Sequence, residues 1–221
     1  MQDKIILALD FSNFAEVDRI INLLPDLKWV KVGMQLYFSE GNSIITYLKS
    51  KNLKIFLDLK LHDIPNTVKQ AITNLNKLEV DLLTVHASGG FNMLKAAKEA
   101  GQIPLAAVTC LTSISPETLN NQLMVNIGLE EYVLALATLA KDAGIKHLVC
   151  SPLELDIICK NFGNDFTIIT PGIRKTLVKN DQARVMTPSD ALKRGANFLV
   201  IGREITGSLD PKAAFYSLGD A

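Results

Sequence analysis

The chain has 221 residues, 48% of them hydrophobic, enough for a substantial core and a length that fits one α/β barrel. Lys+Arg and Asp+Glu balance at 23 each, so nothing in the charge indicates nucleic acid or an anionic membrane as a partner. A local cationic site for a phosphorylated small molecule is still compatible with that balance.

The N-terminal MQDKIILALD enters an apolar run almost at once, without the h-region and cleavage site of a signal peptide. The apolar stretch 132–140 is too short to span a bilayer. Cys110, Cys150 and Cys159 are odd in number and include no C-x-x-C pair, which points to reduced thiols in a cytoplasmic protein.

Short apolar runs alternate with longer helical patterns from end to end. Strands are expected at 5–9, 29–33, 54–60, 82–86, 105–109, 147–150, 167–170 and 198–201. Helices are expected near 14–24, 35–50, 65–77, 90–100, 126–143, 152–161, 188–194 and 211–217. Strands alternating with helices argue for parallel pairing through crossover helices, and eight such units close a (β/α)8 TIM barrel. A doubly wound open sheet is the alternative, which periodicity alone leaves open. No linker or composition shift divides the chain, so residues 1–221 read as one catalytic domain.

The stretch 54–68, KIFLDLKLHDIPNTV, concentrates the charge. In an extended chain Asp58 and Lys60 share one face, while Ile55, Leu57 and Leu59 share the other. Asp63 follows beyond the strand end, and Pro65 suits the first turn of a helix. A structural salt bridge is the bland reading, but strand interiors are depleted in Asp and a charge facing a core needs a partner.

Other polar residues fall at the same end of their strands. Asp10 closes the first, Lys31 lies in the second, His86 ends the fourth, and Thr112 and Ser113 follow the fifth. The seventh leads into Pro171-Gly172-Ile173-Arg174 and the eighth into Gly202-Arg203. Barrel enzymes build their sites on this C-terminal face, often with phosphate held after strands seven and eight. Asp10, Lys31, Asp58, Lys60 and Asp63 would form an alternating charge array over the barrel mouth. The connection 174–187 has the length of a lid. His62, His86 and His147 lack metal-ligand spacing and receive no catalytic role.

Asp-x-Lys-x-x-Asp followed by Ile-Pro-Asn-Thr closely resembles the signature of the orotidine 5′-phosphate decarboxylase family. LALD, VKVG, PGIR, DQAR, MTP and VIGREIT are similar to further motifs of that family and come in its order. The resemblance implies decarboxylation of orotidine 5′-phosphate (OMP) to UMP and CO₂, the last step of de novo UMP biosynthesis, with no cofactor and no metal. It implies Lys60 as proton donor, with Asp58, Asp63 and Lys31 completing the catalytic array and Asp10 contacting substrate. It also implies substrate contacts from Ile64, Thr67, Thr112, Ser113, Arg174, Gln182, Gly202 and Arg203. Finally, it implies a homodimer in which Asp63 and Thr67 reach the neighbouring subunit's site. Two rivals remain. Related Mg²⁺-dependent sugar-phosphate decarboxylases and hexulose-phosphate synthases share Asp-x-Lys-x-x-Asp but carry a metal-binding Glu where this chain has Lys31. A non-catalytic phosphate-binding barrel is the other.

Overall fold

The structure, a computed structural model, describes residues 1–174 and 186–218. Eight parallel strands close into a barrel in sequence order, with β8 returning to pair with β1. They are β1 (Ile5–Ala8), β2 (Trp29–Gly33), β3 (Lys54–Leu61), β4 (Leu82–His86), β5 (Leu105–Val108), β6 (His147–Val149), β7 (Thr167–Thr170) and β8 (Phe198–Ile201). Each matches an expected run to within a residue at either end. The closed ring rejects the open-sheet alternative.

Helices α1 (Phe14–Leu23), α2 (Met34–Glu40), α3 (Asn42–Ser50), α4 (Pro65–Leu75), α5 (Gly90–Glu99), α6 (Leu129–Asp142), α7 (Leu155–Phe162), α8 (Pro188–Lys193), α9 (Arg203–Thr206) and α10 (Pro211–Ser217) accompany the barrel. Local chemistry sets several starts. Asn13 accepts the N–H of Glu16 at 3.1 Å to cap α1, and Thr187 and Asp210 cap α8 and α10 in the same way, each ahead of a proline. The helix expected at 35–50 is broken in two. Gly41, at φ 61° and ψ −147°, occupies backbone space essentially reserved for glycine, so α2 stops there and α3 starts in a new direction.

Apolar burial forms two layers. The larger lies between the barrel and its helices and includes Val17, Ile20, Leu36, Ile44, Leu48, Val68 and Ile72. The smaller fills the barrel itself: Ile6, Ala8, Phe56, Leu82, Ala106, Val108, Val149, Ile169 and Val200, with Trp29 and Phe198 against them. Interior positions recur at every second residue, as the pleat requires. The residues that follow them toward the C-terminal ends of the strands line the mouth. Among the described residues no helix is long and apolar enough to cross a membrane.

Candidate active site

Period-2 alternation carries Lys31 two residues above Trp29 and Asp58 two above Phe56, so both point into the barrel. Asp58 is 8% exposed. Lys60 Nζ donates to its Oδ1 at 2.9 Å and its Oδ2 at 2.8 Å. Lys31 Nζ lies 3.7 Å from the same Oδ2 and donates to Asp10 Oδ1 at 3.0 Å. The result is a chain of alternating sign, Asp10–Lys31–Asp58–Lys60, in which two cations and two carboxylates balance. Burial pushes the Asp58 carboxyl up, but the charges of Lys31 and Lys60 and hydrogen bonds from Lys60 and Thr84 outweigh it. Asp58 therefore stays below the ordinary carboxylate range. Room for Lys31 depends on Gly33, because a Cβ there would lie 2.9 Å from Nζ.

The array forms one side of a cavity of about 260 Å³ at the C-terminal mouth. Val108, Val149, Val200 and the buried thiols Cys110 and Cys150 form an apolar wall. Burial pushes the Cys150 thiol well up, so it presents a neutral S–H. Gly172, Arg174, Gly202 and Arg203, from the ends of β7 and β8, complete the lining with Thr112 from the β5 end. One cavity thus offers fixed charges, an apolar slot and two guanidiniums.

A model of the orotidine 5′-phosphate decarboxylase / HUMPS family matches residues 3–217. The chain belongs to that family. Named members are similar over nearly their whole length. Orotidine 5′-phosphate decarboxylase of Geobacillus sp. (strain WCH70) is 48% identical, across 99% of this chain and 96% of that protein. The protein of that name from Prochlorococcus marinus (strain MIT 9515) is 44% identical over the same shares. The crystal structure of orotidine 5′-phosphate decarboxylase from Lactobacillus acidophilus aligns with a TM-score of 0.86 at 40% identity, covering 98% of this chain and 97% of that one.

Within this family member the expected site residues divide into groups. Asp10, Lys31, Asp58, Lys60, Thr112, Arg174, Gly202 and Arg203 all meet at the cavity. Asp63, Ile64 and Thr67 are exposed and do not line it. Asp63 stands outside the ion-pair array of the described residues, and its Oδ1 accepts the N–H of Ile64 at 2.7 Å. The expected five-membered array thus has four members within one chain. Ser113 is exposed and also off the cavity lining. Gln182 lies outside the described residues.

Two features escaped the sequence. Thr84 is fully buried in β4 and hydrogen-bonds both Asp58 and the backbone of Lys60. His62 and His86, far apart in sequence and without motif spacing, bring their rings to 5.5 Å. Burial, then the neighbouring His62 and Lys60, lower the His86 pKa against an opposing pull from Asp58. Thr84 could have been suspected as the one hydroxyl of β4, on the inward face between Leu82 and His86.

Proposed function

We propose that this chain decarboxylates OMP to UMP and CO₂ without a cofactor, as the final step of UMP biosynthesis in the cytoplasm. The observation that carries this reading is the Asp10–Lys31–Asp58–Lys60 array facing an apolar slot, with Arg203 and Arg174 on the same cavity. The names of relatives 44–48% identical support it. The partner is then a small molecule rather than a nucleic acid or a membrane, and the chain acts as one catalytic domain.

Breaking the bond from C6 to the carboxylate leaves an electron pair in the plane of the pyrimidine ring, out of conjugation with its π system. That charge cannot be spread through the ring, so it must be met by fixed opposite charge. Lys60 carries such a charge and can pass a proton from Nζ to C6 as CO₂ departs. Asp58 holds the ammonium in place from 2.8 Å and would stand beside the substrate carboxylate. Crowding two carboxylates raises the ground state, a contribution that departing CO₂ relieves. Arg203, with Gly202, would hold the phosphate, and binding energy from that remote group would assemble the site around the ring.

The reading extends to assembly. Asp63, Ile64 and Thr67 form an exposed group outside their own chain's cavity. In a homodimer with two-fold symmetry such a group can complete the partner's site.

The metal-dependent rival is disfavoured by position rather than by absence. The Lys31 ammonium, 3.0 Å from Asp10 and 3.7 Å from Asp58, occupies the ground between those carboxylates that a divalent cation would need. The test is direct. Purified protein should convert the ultraviolet spectrum of OMP into that of UMP with EDTA present. Turnover lost to chelator and restored by Mg²⁺ would favour the sugar-phosphate relatives, and no turnover under either condition would favour a binding barrel.

A further inference from the structure

β3 and β4 start in step, Phe56 opposite Leu82 and Leu57 opposite Leu83, but the next matched pair is Leu61 with Val85. β3 therefore advances four residues while β4 advances two. The surplus is a bulge over 58–60, the residues that carry the central ion pair. Lys60 sits there at φ 50°, a left-handed conformation unfavourable for any residue with a Cβ. Such a backbone persists only where its surroundings hold it.

Thr84 is what faces it. Its Oγ1 accepts the backbone N–H of Lys60 at 2.8 Å, replacing the ladder acceptor that the bulge removes. The same hydroxyl donates to Asp58 Oδ1 at 3.0 Å. One proton and two lone pairs let a single hydroxyl serve both neighbours. A closed circuit results: Thr84 to the Lys60 backbone, Lys60 Nζ to Asp58, Asp58 back to Thr84. We infer that Thr84 is a positioning residue for Lys60, fixing both its left-handed backbone and the carboxylate that anchors its ammonium. The inference rests on the reading of Lys60 as proton donor. Thr84 is not among the residues that line the cavity.

The test compares Thr84→Val, Thr84→Ala and Thr84→Ser. Displacing a reacting group by about 1 Å can lower a rate about a hundredfold, and that loss in kcat is expected for Val and Ala. KM for OMP and Kd for UMP should stay within about threefold, because ground-state binding is not what the hydroxyl provides. Thr84→Ser should regain most of the rate. Ser and Ala differ by one oxygen, so their ratio reads the hydroxyl even if the valine variant fails to fold. Crystal structures of the Ala and Ser variants add a readout independent of turnover: Lys60 should leave φ 50° in the first and keep it in the second. Wild-type kcat in Thr84→Ala, UMP binding lost in step with kcat, or Lys60 unmoved would each overturn the inference. A wild-type protein that leaves OMP intact would instead sink the decarboxylase reading, and the Lys60 conformation would still decide the role of Thr84.

Discussion

The two ends of the barrel interior are built from the same strands and do opposite things. On β2, β3 and β4 the lower inward positions are Trp29, Phe56 and Leu82, and two residues further on stand Lys31, Asp58 and Thr84. On β1, β5 and β8 the same step goes from Ile6, Ala106 and Phe198 to Ala8, Val108 and Val200. The lower layer is apolar, with Trp29 and Phe198 meeting edge to face at 5.5 Å. The upper layer is charged on one side and apolar on the other. A flat ring with one charged edge would find complementary ground across that mouth. The lower layer buys rigidity and the upper uses it, because buried charges keep their geometry only on a floor that does not yield.

Changes at each end should separate the two. Lys60→Ala at the upper layer should lower kcat about a thousandfold or more, since removing one preorganised electrostatic group alone loses about 10²–10³ and, in the proposed mechanism, the proton source goes with it. A variant keeping a tenth of wild-type turnover would mean that another group delivers the proton. Phe56→Ala, one pleat below Asp58, should instead cost about 3–5 kcal/mol of stability in urea unfolding, with kcat per folded molecule nearly kept. Loss of turnover without loss of stability there would erase the distinction between the layers.

Smaller effects sharpen it. Arg203→Ala should weaken OMP turnover by about thirtyfold or more, roughly 2 kcal/mol for a truncated charged contact. Phosphate-free orotidine should barely register the change, and equal losses on both substrates would place Arg203 with the ring instead. The mildest outcome concerns assembly. In the proposed shared-site homodimer, mixing inactive Lys60→Ala with inactive Asp63→Ala chains should return about a quarter of wild-type sites, since random exchange makes about half the dimers mixed and each would hold one intact site. Verified subunit exchange with no activity would confine Asp63 to its own chain.

Much of this was legible in the residues. The barrel could be read because eight apolar runs recur between helical patterns, and Lys31, Asp58 and Lys60 because charges on an inward face stand out. What was hidden was hidden for physical reasons. Thr84 is an ordinary strand-former until the bulge opposite it is known, and a bulge leaves no mark on hydrophobic periodicity. A lone glycine is tolerated inside a helical pattern, so the break at Gly41 required its dihedral angles. The His62–His86 contact joins the ends of two strands that no local spacing relates. Asp63, Ile64 and Thr67 read as site residues by resemblance, and one chain alone leaves them at the surface.

The surplus length of β3 has a practical consequence. Removing two residues between Leu57 and Leu61 would restore an even ladder with β4 and relieve the left-handed backbone at Lys60. The shortened barrel would be the better sheet, yet the pair Asp58 and Lys60 could not survive the shortening intact. A campaign selecting only for heat tolerance would therefore favour straightening β3, and its most successful products would be the ones to check first for lost chemistry.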